Sequence, residues 1–289
     1  MFKLRDYQTK FRDGIYAAWQ TVRAVLGVCP TGGGKTVVFA SVINEHNGAS
    51  IAIVHRREIV GQISFALATF GVAHRVIAPP PVVRRIQAKH LKRFGKSFVD
   101  PQARTGVASV QTLTSPASAR NRLLQQWVKQ VTLAVFDEGH HYYQSGTWAK
   151  GVNLFSAARL LFVTATPERA DGRGLGIHAD GYAEAIVEGP TTQWLIEQGY
   201  LSPFRYLAPT TDLDVSGVAV TRSGELNREA LRKRVVESHL VGDVVKHYRQ
   251  FANGKRAIVF ATDVATAVEI AGAFTAAGIT AEALSGGTN

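Results

Sequence analysis

Residues 29–36, Cys-Pro-Thr-Gly-Gly-Gly-Lys-Thr, have the types and the spacing to bind a polyphosphate. Apolar runs on either side predict a strand before this loop and a helix after it. Three consecutive glycines let the backbone turn tightly, so that several N–H groups point to one place beside a helix N-terminus. The Lys35 ammonium would reach the β- and γ-phosphates of a nucleotide, and the Thr36 hydroxyl would ligate Mg²⁺. The nucleotide-binding residues expected from this loop are Thr31, Gly32, Gly33, Gly34, Lys35 and Thr36.

The loop matches the spacing G-x-x-x-x-G-K-[ST] with one departure, because Cys29 takes the place of the first glycine. The alternative interpretation is a glycine-rich turn that precedes Lys-Thr by coincidence. The first interpretation is favoured because a strand and a helix are expected in the places that a phosphate loop needs.

Two carboxylates, Asp137 and Glu138, follow a second apolar run at residues 131–136, which predicts a buried strand. Nucleotide hydrolysis needs a carboxylate near Mg²⁺ and a group that activates water. Asp137 would hold the Mg²⁺ shell, and Glu138 would orient or deprotonate the attacking water. The alternative is an acidic turn at a strand end that has no chemical role.

His140 and His141 are not expected to form a metal site, because no third nitrogen or sulfur ligand occurs at a useful spacing. We expect His140 to connect the nucleotide site to the turn that contains Thr164 and Thr166. His141 is expected to be a structural or surface residue.

Strands alternate with helices along the chain, which predicts an α/β fold with a parallel sheet covered on both faces. Ligands bind such sheets at the carboxyl ends of the strands. Polar residues at the predicted strand ends, besides the glycine loop, are His55, Gln111, Asp137 and Thr164. Further strands are predicted at residues 204–207, 257–261 and 281–284, and Pro190 is predicted to open a short helix. Helices are predicted at about residues 225–236 and 239–251, and a third is expected to begin at its cap Asp263 and to run to residue 277.

The composition favours a soluble protein with a polyanionic partner. The 289 residues carry a net charge of +11, which suits nucleic acid or an anionic membrane surface. A single cysteine excludes an internal disulfide and a cysteine-based zinc site. No apolar run approaches about 20 residues and no signal peptide is evident, so we expect a cytoplasmic protein with no membrane partner.

A basic, irregular segment follows three consecutive prolines and extends to about residue 102. We interpret it as a surface helix flanked by loops. Two interpretations of its charge stay open, a solvated face and a nucleic-acid contact. Its cationic residues are Arg84, Arg85, Lys89, Lys92, Arg93 and Lys96.

Several segments together resemble the superfamily 2 helicases and translocases. Residues 137–140 resemble the D-E-x-H box of that family, with a glycine in the variable position, and residues 164–167 resemble its third motif. Residues 4–8 resemble its adenine-reading Q motif. The resemblance implies that Gln8 hydrogen-bonds the adenine edge with support from Arg5, and that Lys35, Asp137, Glu138 and His140 are catalytic. It also implies that Thr164 and Thr166 couple nucleotide state to the nucleic-acid groove, and that ATP and Mg²⁺ are the cofactors.

The same resemblance assigns nucleic-acid contacts. Residues 55–57 are similar to the family's motif Ia, which implies contacts from His55 and Arg56, and residues 110–112 are similar to motif Ib, which implies Gln111 and Thr112. Gly287 falls in a stretch similar to a nucleic-acid-contacting turn of the second domain. RadD-type and XPB-type helicases and restriction-enzyme motor subunits are the most similar groups, especially at residues 194–203. On resemblance alone, DNA is expected rather than RNA.

The resemblance implies a RecA-like P-loop domain at residues 1–200 and the start of an incomplete second RecA-like domain at 201–289. The final family motif, which carries an arginine finger, has no counterpart here. The main hypothesis is therefore the amino-terminal portion of an ATP-dependent DNA helicase or translocase. The alternative is a nucleic-acid-binding module whose site binds ATP without catalysis. A small-molecule kinase would leave Gln8, His140 and residues 164–166 without a role.

Overall fold

The computed structural model describes residues 3–169, 172–208, 214–220, 226–237 and 240–286, which fall into two compact units, Met1–Pro203 and Phe204–Asn289. The helices of the first unit are α1 (Asp6–Ala18), α2 (Lys35–Glu45), α3 (Val60–Thr69), α4 (Pro80–Phe94), α5 (Val110–Leu113), α6 (Pro116–Arg120), α7 (Arg122–Val128), α8 (Ala149–Asn153) and α9 (Thr192–Glu197). Its strands are β1 (Ala24–Val28), β2 (Ala49–Val54), β3 (His74–Ile77), β4 (Thr105–Ser109), β5 (Val131–Asp137), β6 (Arg159–Thr164) and β7 (Ala185–Glu188).

The seven strands form one sheet in the order β3-β4-β2-β5-β6-β1-β7, and all of its neighbouring strands pair in parallel. This confirms the predicted α/β fold with a parallel sheet. The register pairs Val28 of β1 with Thr164 of β6, and Val163 of β6 with Asp137 of β5. The phosphate loop, the two carboxylates and the Thr164 turn therefore leave the sheet side by side.

Each face of the sheet carries its own apolar core. On one face, α1, α2, α3 and α4 contribute Phe11, Phe39, Ile63 and Ile86. On the other face, α5, α7 and α8 contribute Leu113, Trp127 and Val152, packed with Phe136 of β5. Apolar side chains therefore cover both faces of the sheet.

Three local features differ from the sequence-based expectations. Helix α4 begins inside the proline run, because proline lacks only an N–H that is unpaired in the first helical turn. Helix α9 begins after Thr191, whose hydroxyl accepts a hydrogen bond from the Trp194 N–H, rather than at Pro190. Strand β7 was not expected, and it pairs with β1 at the edge of the sheet.

The second unit contains α10 (Arg228–Glu237), α11 (Leu240–Phe251) and α12 (Val264–Ala276). These three helices were predicted, and Asp263 caps α12 as expected by accepting a hydrogen bond from the Thr266 N–H at 2.9 Å. The strands predicted at 204–207, 257–261 and 281–284 are wrong, because the described residues there make no strand pairing. An extended segment becomes a strand only when a neighbour supplies backbone partners, and here the side chains of Ile258 and Phe260 remain 82% and 93% exposed.

None of the helices among the described residues combines the length and the apolar character needed to cross a membrane.

Candidate active site

The phosphate loop leaves β1 at the carboxyl edge of the sheet. The Cys29 N–H donates to the Thr164 carbonyl at 3.0 Å, which ties the start of the loop to β6. Gly32 and Gly34 have φ of 82° and 89°, a left-handed conformation that glycine adopts without strain. A Cβ on Gly33 would lie 2.5 Å from the Cys29 sulfur, and one on Gly34 would overlap the Gln8 side-chain nitrogen. The loop therefore needs its glycines both for conformation and for space.

Lys35, the first residue of α2, folds its side chain back across the loop. Its ammonium donates to the Cys29 carbonyl at 3.0 Å. The positive charge is thereby held inside the curve of the loop, beside the N-terminus of α2. A polyphosphate in that position would meet backbone N–H groups, the helix N-terminus and an ammonium together.

Asp137 and Glu138 lie at the end of β5. Burial raises the pKa of Asp137 to about 6, with a further contribution from the charge of Glu138, while the charge of Lys35 acts in the opposite direction. Glu138 has φ 54° and ψ 56°, a left-handed conformation that costs a glutamate about 1–2 kcal/mol. A strained residue beside a buried carboxylate is the kind of geometry found at active sites.

His140 joins this pair to the end of β6. Its Nδ1 atom lies 2.9 Å from the Thr164 hydroxyl, 3.4 Å from the Thr166 hydroxyl and 3.5 Å from a Glu138 carboxylate oxygen. The Thr164 hydroxyl also donates to the Thr166 carbonyl at 2.9 Å. Because Thr164 accepts the Cys29 N–H through its carbonyl, one residue contacts both the phosphate loop and the histidine. His140 therefore contacts the Thr164 turn, and its role in linking that turn to the nucleotide site stays a prediction.

Gln8 reaches the phosphate loop from α1. The side-chain oxygen of Gln8, Oε1, accepts the Arg5 backbone N–H at 3.0 Å, which closes the first turn of the helix. Gln8 is 6% exposed. Its amide nitrogen lies against Gly34. Arg5 remains exposed, with its guanidinium 4.6 Å from the centre of the Tyr200 ring.

Helix α9 and the residues that follow it also pack on the phosphate loop, a position that the sequence did not predict for them. Leu195 is fully buried near Gly33, and Leu201 occupies the space in which a Gly32 Cβ would lie. Tyr7 contacts both Trp194 and Tyr200, with ring centres 5.7 Å and 5.0 Å away. The signal in the sequence was the dense apolar and aromatic content of residues 194–201.

The residues predicted to contact nucleic acid differ in accessibility. Arg56 and Gln111 are exposed, Thr112 is half-buried and its hydroxyl lies 2.9 Å from that of Ser109, and Gly287 lies outside the described residues. His55 is only 9% exposed.

The His55 side chain is instead part of an aromatic group. Its ring lies 4.7 Å from the ring of His141 and 5.8 Å from that of Trp148. Burial lowers the pKa of His141 to about 4, with contributions from His140 and His55, so this histidine is neutral at pH 7. The Gln111 amide donates to the His55 carbonyl, which joins the ends of β4 and β2.

The residues at this edge fit a nucleotide and Mg²⁺ by their chemistry. The glycine loop presents N–H donors in a space that a Cβ would fill, and Lys35 adds a cation. The Thr36 hydroxyl and the Asp137 carboxylate are oxygen ligands, the type that Mg²⁺ prefers. When bound, Mg²⁺ would neutralise charge on the phosphates.

Comparison with known families identifies the domain. The family described as the res subunit of type III restriction enzymes matches residues 1–169, which include every described element from α1 to β6. The chain belongs to this family. The matched region contains the phosphate loop, the Asp137–Glu138 pair and the Thr164 turn.

Two curated relatives and one solved structure extend the comparison. A "51.5 kDa protein" of a Lactococcus phage is 28% identical over 87% of this chain and 47% of its own length. The "Putative mitochondrial ATP-dependent helicase irc3" of Schizosaccharomyces pombe is 27% identical over 99% of this chain and 45% of its own. This chain therefore spans less than half the length of either relative.

The crystal structure of the DUF1998 helicase MrfA matches 96% of this chain and 39% of its own, with a TM-score of 0.53 and 13% identity. At that identity the likeness concerns the fold alone. It agrees with a RecA-like domain built on the parallel sheet.

Proposed function

We propose that this chain is the motor portion of an ATP-dependent helicase or translocase, which couples ATP hydrolysis to movement on nucleic acid. The observation that carries the proposal is the convergence of four groups at one sheet edge: the phosphate loop, the Asp137–Glu138 pair, the buried Gln8 and the His140–Thr164 contact. Family membership and a relative named as a putative ATP-dependent helicase support it.

Each group has a proposed task. The loop N–H groups and Lys35 bind the phosphates, Thr36 and Asp137 hold Mg²⁺, and Glu138 orients or deprotonates water. Gln8 and Arg5 bind the adenine. The contact of His140 with Thr164 carries the state of this site toward the strand ends that bear Arg56 and Gln111.

The nucleic acid is proposed to be DNA, bound along the carboxyl ends of β2 and β4. Arg56, Gln111 and Thr112 supply its contacts, together with His55 if the ring leaves its aromatic neighbours. The net charge of +11 favours a phosphate backbone as ligand, and affinity should fall steeply with added salt.

Substitution of Lys35 by alanine tests the ATPase. We expect the turnover of ATP to fall by about 10²–10³-fold or more, because the ammonium stabilises charge that develops on the phosphates. Phosphate release measured with and without DNA gives the readout. Lys129→Ala is the matched control, because it removes an exposed lysine that lies between α7 and the amino end of β5.

The outcomes also separate the motor from a silent ATP-binding module. DNA-stimulated release that Lys35→Ala abolishes supports the motor. Binding of ATP with no release, with or without DNA, supports the silent module. Turnover at the wild-type rate in Lys35→Ala would refute the assignment of the phosphate loop.

A further inference from the structure

Helix α4 carries the largest net positive charge of the described helices. Between Glu58 and Asp100 the sequence contains seven lysines and arginines and no carboxylate. Six of the seven, all except Arg75, lie at residues 84–96, on α4 or just after it, and each is exposed. Among the described residues, the ion pairs include none of these six. The charge of α4 is therefore not neutralised within the described part of the protein.

Three of the exposed cations of α4 share one side of the helix. Ile86 and His90, one helical turn apart, are buried against the rest of the unit. Arg85, Lys89 and Lys92 recur at i, i+4 and i+7, so they form one row on the exposed side. With a rise of about 1.5 Å per residue, this row is about 10 Å long, enough to follow several phosphates of a nucleic-acid backbone.

A buried polar network holds α4 in place. The Ser64 hydroxyl of α3 lies 2.6 Å from His74 Nε2 and 3.3 Å from His90 Nε2. The Phe98 N–H donates to His90 Nδ1, so the ring proton of His90 is on Nε2 and donates to Ser64. His74 Nδ1 donates to the Val72 carbonyl, so its Nε2 accepts the Ser64 proton. When both imidazole rings are neutral, each of their nitrogens has a hydrogen-bond partner. The network therefore fixes the orientation of α4 and of its cationic row.

The position of α4 links this row to the proposed nucleic-acid path. Helix α4 starts directly after the carboxyl end of β3, and β3 pairs with β4. The ends of β4 and of its other neighbour β2 carry Gln111 and Arg56. The first turn of α4 therefore begins at the same edge of the sheet, beside the end of β4.

We infer that α4 is a second contact surface for the nucleic-acid backbone, in which Arg85, Lys89 and Lys92 bind phosphates beside the path at the strand ends. The inference rests on the proposed function, because it enlarges the nucleic-acid contact surface of the same motor. Because the buried network already fixes the helix, its backbone loses little conformational freedom on binding. Phosphate contacts of this kind add affinity without sequence preference.

The test is the salt dependence of DNA binding by the full chain carrying Arg85→Ala, Lys89→Ala and Lys92→Ala together. The probe is a fluorescently labelled DNA duplex with a single-stranded tail. We expect the slope of log affinity against log salt to fall by about 0.9 for each phosphate that the protein no longer neutralises, hence by about 2–3 in the triple variant. ATP turnover without DNA should be unchanged.

Two further variants control for charge and for shape. Arg120→Ala, Arg122→Ala and Lys129→Ala remove three exposed cations near α7, on the other face of the sheet, and should leave the slope unchanged. Arg85→Lys, Lys89→Arg and Lys92→Arg keep every charge and should retain the wild-type slope.

An unchanged slope in the α4 triple variant would overturn this inference while the wild type still binds DNA. An equal decrease of the slope in the α7 control would also overturn the inference, because the slope would then depend on the total charge and not on the position of the cations. Loss of binding to vesicles of anionic lipid, with the DNA slope intact, would overturn it in favour of a membrane surface. Failure of the wild type to bind DNA at all would instead refute the proposed function.

Discussion

Glu138 combines a left-handed backbone with a side chain 3.5 Å from His140. A glutamate in this conformation is held there by its surroundings, here β5 on one side and the 3-10 turn Gly139–His141 on the other. Its backbone is therefore held in one conformation, with the carboxylate beside His140. The restricted geometry suits a group that positions one water molecule relative to a bound phosphate.

Glu138→Gln tests this role, because it preserves size while removing the charge. We expect the turnover of ATP to fall by about 10²–10⁴-fold, the range that general acid–base groups contribute, with ATP affinity nearly unchanged. Single-turnover phosphate release and an independent binding titration separate the two quantities. Glu269→Gln, an exposed glutamate on α12, should match the wild type. Equal loss of binding and turnover in Glu138→Gln would contradict the assignment.

The raised pKa of Asp137 predicts a pH dependence of Mg²⁺ binding. The protonated carboxyl is a poor Mg²⁺ ligand, so Mg²⁺-dependent nucleotide affinity should be full above about pH 7 and should decline as the pH falls through about 6. Because Glu138 raises this pKa, Glu138→Gln should move the midpoint to lower pH. Nucleotide titrations with and without Mg²⁺ across this range measure both effects. A midpoint that stays unchanged in the variant would argue against direct coupling of the two carboxylates.

Among the helices and strands, the parts with strong periodicity or long apolar runs could be predicted. Strand β5 follows from its apolar content, five of seven residues, and Asp137 is its last residue. Helices α11 and α12 follow from their spacing and, for α12, from the cap at Asp263. The shared position of the candidate site residues was predictable for the same reason, since a parallel sheet gathers its strand ends at one edge.

The elements that could not be predicted depend on distant partners. Strand β7 alternates half-buried and exposed residues, and it exists because β1 offers an open edge. The apolar run at 257–261 was expected to be a strand, but no strand among the described residues pairs with it. The burial of His55 and the packing of Leu201 on Gly32 are likewise contacts between segments far apart in the sequence. Local patterns contain no information on such pairings.

The buried network under α4 predicts a loss of stability at mild acid pH. Burial lowers the pKa of His74 to about 4, below its unfolded value of about 6.5. The unfolded chain therefore binds more protons between these values. The free energy of unfolding should have its highest value above about pH 6.5. It should fall by up to about 3 kcal/mol as the pH approaches 4. Denaturant unfolding at several pH values measures this loss.

Ser64→Ala removes the central hydroxyl of the network and leaves both histidine Nε2 atoms without that partner. We expect a loss of about 1–3 kcal/mol in the free energy of unfolding at pH 7, the cost of unpaired buried polar groups. Thr69→Ala, which removes an exposed hydroxyl from the same helix, is the control and should cost far less. A variant as stable as the wild type would show that the network contributes nothing net.

At the scale of the whole molecule, the residues proposed to bind ATP and Mg²⁺ all belong to the unit Met1–Pro203. Both apolar cores, the phosphate loop, the acidic pair and the segment after α9 belong to this unit. We therefore expect a fragment of residues 1–203 to unfold cooperatively and to bind ATP with an affinity within about tenfold of the full chain. Thermal unfolding with and without Mg²⁺ and ATP provides the measurement.

The same fragment with Lys35→Ala is the control, and its melting temperature should not rise with ATP. Aggregation of the wild-type fragment, or a melting temperature that does not rise with ATP, would contradict this expectation. Residues 204–289 would then be needed for stability or for ATP binding. DNA-stimulated turnover is expected to be weaker in the fragment than in the full chain, because a motor cycle needs a second body to move.

Cys29 gives the phosphate loop a property unrelated to catalysis. It is the single thiol in the sequence, it is 1% exposed, and burial raises its pKa. A thiol reagent can therefore react at one place only, and only while the loop is open. The rate of labelling measures how often the loop opens, and bound nucleotide should slow it. The unmodified chain thus contains its own kinetic probe of nucleotide occupancy.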